Sequence, residues 1–193
     1  RNLKVLAALR QRCHLHQYLI FQAIVATLCS KLVRYNLGRR GNGPLNGTLY
    51  LSSLTAEANV LKVFSGKIVD FVKARSVPSY NLISTQSATQ LSCGDNTIDY
   101  IFLDPPFGSN LMYSELNFLW EAWLKVFTNN QTEAIVSKTQ GKTLHDYRSL
   151  MQQCFQEAFR ILKPGRWMTV EFSNTQASVW NTIQTTLQEV GFV

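Results

Sequence analysis

Residues 98–110, IDYIFLDPPFGSN, decide how the chain is read. From Thr97 to Leu103 the residues are β-branched and aromatic with little polar alternation, the pattern of a strand covered on both faces. The run stops at Asp104 and is followed by Pro105, Pro106 and Phe107. Two prolines behind a carboxylate remove most of the local dihedral freedom and two backbone donors, which leaves nearby carbonyls free to accept from another group. In an open parallel sheet, ligands collect outside the carboxyl ends of the strands, and Asp104 stands at such an end.

Elements on both sides of this corner alternate. Downstream, residues 114–127 and 144–162 have helical period and are separated by a polar loop from about 128 to 143. The second helix is expected to stop at Lys163-Pro164-Gly165. A strand follows at 166–174, then a helix at 176–190 with Asn174 or Thr175 as its cap and Gly191 as its stop. Upstream, 47–54 reads as a short strand, 56–74 as a helix with one interior glycine, Gly66, and 80–91 as strand and turn. Such alternation predicts an α/β fold with a mostly parallel, three-layer sheet.

The first 35 residues differ from the rest. Leu15, Leu19, Ile24, Leu28 and Leu32 recur at three- to five-residue spacing, which predicts one long amphipathic helix from about Val5 to Tyr35, or a bent pair. Residues 36–47, with four glycines and a proline, are the best linker. The expected organisation is therefore a basic helical segment with its linker over 1–48 and an incomplete α/β domain over 49–193. Arg1 at one end and Gly191-Phe192-Val193 at the other suggest a fragment.

With 193 residues and 46% hydrophobic content, the chain can bury a core. Its formal charge of +7 is uneven: residues 1–56 hold eight Lys or Arg and no acid, whereas the remainder holds eleven basic and twelve acidic residues. A one-signed segment favours phosphate or anionic lipid as a neighbour, although a solvated basic helix has the same composition. Four cysteines without a CxxC pair argue against a zinc site or a disulfide framework and for a reducing compartment. His14 and His16, two apart, point to different helix faces, so no metal is expected. The apolar run at 18–31 carries Gln22 and is too short to span a bilayer, so a soluble cytoplasmic protein with no membrane partner is expected.

Two fixed acceptors beside an aromatic plate suit a planar amino group on a ring, which has two N–H donors and a face that can stack. Asp104-Pro105-Pro106-Phe107 resembles the [DNS]PP[YFW] motif of amino-directed methyltransferases, which use S-adenosylmethionine to methylate the exocyclic nitrogen of adenine or cytosine in DNA. Residues 99–123 look like the branch of DNA methylases related to large adenine-specific restriction-modification enzymes. Residues 162–174 are similar to the helix, turn and strand that follow in class I methyltransferases. The likeness spans roughly residues 80–193.

The resemblance implies a Rossmann-like class I methyltransferase sheet, here partial, and makes residues 49–193 a partial methyltransferase catalytic domain. It implies that Asp104 and the Pro105 carbonyl accept from the target amino group, that Pro106 stiffens the corner, and that Phe107 stacks on a flipped base. The implied partner is DNA, adenine favoured over cytosine, with a companion restriction nuclease allowed. Tyr113 is the residue expected to face the base, while Glu115, Asn117 and Trp120 follow closely enough to line the same mouth. Glu115 equally suits the acid of a first helical turn, and Trp120 and Trp123 suit a core. Lys138, Lys142 and Arg148 either follow the strand backbone or form a solvated surface.

The family's cofactor loop, an aromatic followed by G-x-G between a strand and a helix, is not found. Gly41-Asn42-Gly43 has the letters in the reverse context, so the loop is expected upstream of Arg1 and cofactor binding by the chain alone is expected to be poor. Ser87 falls where related enzymes touch the cofactor adenine, with Asp104 as the second cofactor contact. Ser87 has the alternative of closing a turn. None of the cysteines precedes proline, which disfavours carbon-5 cytosine methylation. Two other functions fit the letters: methylation of the guanine exocyclic amine in RNA, and a catalytically degenerate module that grips DNA.

Overall fold

The computed structural model of the chain describes residues 2–14, 17–18, 20–22, 29–35, 50–74 and 80–193. The expected linker, its Gly41-Asn42-Gly43, His16 and residues 15, 19 and 23–28 of the expected N-terminal helix lie outside these residues. The chain groups into two compact units, Arg1–Asn81 with Glu115–Thr128, and Leu82–Ser114 with Asn129–Val193. Residues 49–81, assigned from sequence to the second domain, thus fall in the first unit.

The first unit holds α1 (Asn2–Arg12), α2 (Val60–Ala74) and most of α3 (Tyr113–Leu124). Cys13 and His14 interrupt helical structure after α1, and helix resumes at residues 17–18 and 20–22, so the described part of the expected long helix is broken. Leu6, Phe21, Cys29 and Val60 form its core, with Val63, Phe64 and Trp123 against them. The rings of Phe21 and Trp123 meet edge to face at 5.3 Å. α2 starts four residues later than its period suggests because the Asn59 side chain accepts from the Lys62 amide and caps the helix there. Residues 50–54 form no strand; the contact nearby is an isolated antiparallel bridge between Arg34 and Thr55.

The second unit positions the corner. Its strands are β1 (Ile98–Leu103) and β2 (Leu162–Val170), and its helices are α4 (Leu144–Ile161) and α5 (Ala177–Val190). The strands pair in parallel, with Ile101 opposite Met168 and Leu103 opposite Val170. The register is irregular between Ile98 and Tyr100, where β2 carries the expected Lys163-Pro164-Gly165 break; Gly165 has φ +73°. A proline that cannot donate and a glycine at positive φ interrupt the ladder without ending the strand.

Helix α4 opens on a capping box, in which the Thr143 side chain and the Asp146 carboxylate bond each other's backbone amides. Tyr147, Met151, Phe155, Ala158 and Ile161 recur at three- and four-residue steps and are all buried. From α5, Val179 and Ile183 join them, and the combined core takes in Leu103, Met168 and Val170 of the sheet. α5 ends at Gly191, whose φ of +112° closes the helix, its amide donating to Leu187 and Gln188 carbonyls.

One expectation about β1 is corrected. Its inner face, Ile101 and half-buried Leu103, packs under α4 and α5, but Tyr100 and Phe102 on the other face are more than half exposed, beside Trp167. Apolar letters on both faces of a strand do not reveal which face the helices of the described chain cover. Residues 80–91, expected as strand and turn, hold a turn at 88–89 but no strand, and Tyr80, Leu82 and Ile83 are exposed.

The approach to β1 is fixed by charge. The Arg160 guanidinium donates to the Leu91 and Cys93 carbonyls and pairs with Glu157 and Asp95, while Glu157 accepts from the Leu91 amide at 2.6 Å. Those donors hold the Glu157 carboxyl down at about 2. The described chain is therefore of mixed α/β type with a two-stranded parallel sheet. Among the described residues no helix is long and apolar enough to cross a membrane.

Candidate functional site

The corner follows β1 directly, so Asp104 leaves the sheet at its carboxyl end. Asp104 is exposed, Pro105 and Gly108 are buried, and Pro106 and Phe107 are half-buried. Because Pro105 and Pro106 have no N–H, the corner has carbonyls as its main handles.

Four of the six carbonyls from Leu103 to Gly108 are engaged. The Glu171 amide donates to Leu103 O at 2.8 Å and continues the ladder past β2. Tyr147 Oη donates to Pro106 O at 2.7 Å, and Asn174 Nδ2 donates to Phe107 O at 2.7 Å. The Val136 amide donates to Gly108 O at 3.2 Å. Among the described residues, no donor reaches the carbonyl of Asp104, the carbonyl of Pro105 or the Asp104 carboxylate. The unengaged acceptors are thus adjacent, and fixed carbonyls flank them.

Glycine is needed at 108 for two reasons. Its φ is +68°, and a Cβ there would stand 3.2 Å from Val179 Cγ1 and 3.4 Å from Asn174 Nδ2.

Tyr113, at the start of α3, is half-buried. Burial raises its phenol pKa first, and the Asp104 carboxylate raises it further, while the Phe107 amide facing its oxygen opposes both. Tyr113 therefore stays a neutral hydroxyl beside Asp104. Its neighbour Ser114 is fixed from outside the helix, since the Glu133 carboxylate accepts from the Ser114 amide at 2.9 Å and from its hydroxyl at 2.7 Å.

The Phe107 ring meets Phe172 edge to face at 5.5 Å, and Phe172 meets Trp180 edge to face at 5.1 Å. Trp180 Nε1 donates to the Asn174 carbonyl at 2.8 Å. One aromatic row thus runs from the corner to the first turns of α5.

Other residues singled out from sequence have different surroundings. Ser87 closes a turn: its hydroxyl bonds Thr89 Oγ1 at 2.8 Å and its carbonyl accepts from the Gln90 amide. Lys142 Nζ donates to the carbonyls of Asn130 and Glu133, and Arg148 pairs with Glu189, so both cations are engaged within the second unit. Lys138 is exposed. Glu115, Asn117 and Trp120 group with the first unit, where Trp123 is part of the core.

Two residues at the corner escaped sequence reasoning. Tyr147 is legible in sequence as a core position of α4 but not as a donor. Asn174 or Thr175 is expected to cap α5; the cap position is Gln176, without a side-chain bond, and Asn174 Oδ1 accepts from the Gln176 amide at 2.7 Å. The amide group of Asn174 is thus divided between α5 and the corner.

Set against S-adenosylmethionine, which the resemblance implies, the described residues fit in part. Asp104 offers a free acceptor, whereas the Ser87 hydroxyl is engaged by Thr89. No family model, curated protein or solved structure matches the chain.

Proposed function

We propose that the chain carries the amine-binding corner of a methyltransferase that modifies the exocyclic amino group of a base in DNA, adenine favoured. The carrying observation is the row of unengaged acceptors on Asp104 and Pro105, with the carbonyls on both sides already taken. An exocyclic amine conjugated to its ring is a poor nucleophile. Acceptors aimed at its two N–H bonds draw the nitrogen toward tetrahedral geometry and localise its lone pair. Phe107 offers a ring against which the base can stack, and Tyr113 a neutral hydroxyl next to Asp104. Catalysis of this kind comes from orientation and from charge placed in advance, without a covalent intermediate on the enzyme. S-adenosylmethionine, when bound, supplies the methyl group. A base inside a duplex cannot reach such a corner, so flipping is part of the proposal.

The finer fold proposed is a three-layer Rossmann-like class I sheet. The parallel pairing of β1 and β2, with α4 and α5 packed on one face, supports it. The basic N-terminal segment supplies phosphate contacts, which give affinity without sequence preference. The sequence contains no strand-loop-helix glycine fingerprint, and this favours one second reading, a methylase-like module that grips DNA without catalysis.

The test is to incubate the chain, and any longer protein that contains it, with methyl-labelled S-adenosylmethionine and unmethylated DNA or RNA, then resolve the nucleosides by mass. N6-methyladenine from DNA is expected. Label in N4-methylcytosine would change the base, and N2-methylguanine from RNA would change the substrate. DNA binding without label would leave the non-catalytic module, and neither label nor binding would end both readings.

A further inference from the structure

We propose that Tyr147 and Asn174 are positioning residues that hold the corner by its carbonyls, so that the exposed Asp104 carboxylate and the unengaged carbonyls of Asp104 and Pro105 keep one arrangement; this rests on the function proposed above.

A corner made with two prolines cannot be tied down by its own amides at those positions. It has to be held through oxygen, and every carbonyl used as a handle is lost as an acceptor for substrate. Side chains hold two consecutive carbonyls here, and both come from far along the chain. Tyr147 lies 41 residues from Pro106, and Asn174 lies 67 residues from Phe107. Their donors act on Pro106 O and Phe107 O and leave the preceding two carbonyls free.

Each donor is itself fixed. Tyr147 is fully buried between Met151, Phe155, Val179 and Ile183, so its ring has one place to be, and its hydroxyl has one proton to give. Burial and the neighbouring Tyr113 raise its pKa, which keeps that proton in place at neutral pH. Asn174 is held at three points: Oδ1 accepts from the Gln176 amide, its carbonyl accepts from Trp180 Nε1, and Nδ2 donates to the corner. The corner is thereby tied to α4 on one side and to the start of α5 on the other. Gly108 lies beside the second tie: a Cβ there would press on Val179 Cγ1 at 3.2 Å and touch Asn174 Nδ2 at 3.4 Å.

Two near-isosteric substitutions delete one donor each. Tyr147→Phe keeps the buried ring. Asn174→Asp keeps the oxygen that accepts from Gln176, puts a negative charge near a helix N-terminus, where it is tolerated, and sets a carboxylate oxygen against the Phe107 carbonyl in place of the donor. Amide hydrogen exchange read by mass spectrometry on peptides covering Phe107–Tyr113, compared with peptides of α4, tests the hold without any need for activity. Exchange in the corner is expected to rise about tenfold in either variant, the factor that one net hydrogen bond represents, while α4 stays close to the unsubstituted protein. In the protein that transfers methyl groups, kcat is expected to fall about 10- to 100-fold with KM for DNA nearly unchanged, because a small misplacement of acceptors harms the reacting geometry more than binding. Unchanged corner exchange in both variants would overturn the hold, and faster exchange with unchanged kcat would overturn the positioning role. Failure of the unsubstituted protein to transfer methyl would instead remove the function proposed above, while the exchange result would still decide whether these side chains hold the corner. Should Tyr147→Phe lower α4 protection as well, Asn174→Asp, outside that helix, gives the deciding result.

Discussion

Gly108 is the residue on which the corner's shape depends most directly. With φ at +68° and Val179 Cγ1 3.2 Å from a Cβ position, Gly108→Ala combines backbone strain with a contact that the core must relieve. The expected loss is about 1–3 kcal/mol in urea unfolding, the usual strain at such a φ for a residue with a side chain. A loss near zero would mean that Asn174 and Val179 yield easily. At this scale the acidic, proline-stiffened corner is legible in sequence, because Asp104, Pro105, Pro106 and Phe107 are contiguous and their local chemistry is short-range. Tyr147 and Asn174 are not, since nothing local tells a core tyrosine or a pre-helical asparagine which distant carbonyl it will meet. Ser87 stands between two roles from its letters alone, and its hydroxyl is engaged in closing a turn.

Helices α4 and α5 are legible as elements because their apolar period fixes both and Gly191 marks the stop of α5, whereas the Thr143–Asp146 box that opens α4 and the cap position at Gln176 come from the structure. Phe155, fully buried where α4 meets the sheet and α5, should cost about 3–5 kcal/mol when changed to Ala, measured by urea unfolding of the second unit. Strand propensity is less informative. Residues 50–54 and 80–86 carry leucine, isoleucine and tyrosine, yet a strand needs a ladder as well as letters, and neither stretch is a strand. The clamp before β1 adds a pH dependence. Glu157 has a carboxyl pKa lowered to about 2 by Arg160 and the Leu91 amide, so its stabilising contribution is complete above the ordinary glutamate range, near 4.3, and is lost as pH falls toward 2. Melting temperature should therefore drop across that interval, and Glu157→Gln should flatten the drop. An equal slope in the variant would place the acid sensitivity elsewhere.

At the scale of the whole chain, the charge imbalance is legible and the grouping of segments is not. Period and composition place a boundary at residue 48, but α2 joins the N-terminal core through Val60, Val63 and Phe64, and Trp123 of α3 reaches the same core. Within that unit the cations are not equivalent. Arg10 is engaged by the Trp123 carbonyl and lies over the Tyr18 ring, whereas Lys4 and Arg12 are exposed. If the segment contacts phosphate, replacing Lys4 and Arg12 by Glu should weaken DNA binding and reduce the slope of log affinity against log salt by about 0.9 per lost contact. An unchanged slope would assign these residues to plain solvation. The proposed function as a whole turns on the exposed carboxylate at the end of β1, and comparing methyl transfer by Asp104→Ala with the unsubstituted protein at equal DNA occupancy tests it most directly. A fall in kcat of about 100- to 1,000-fold with DNA affinity unchanged is predicted, the scale of losing one preorganised electrostatic partner. Transfer at the unsubstituted rate would contradict it.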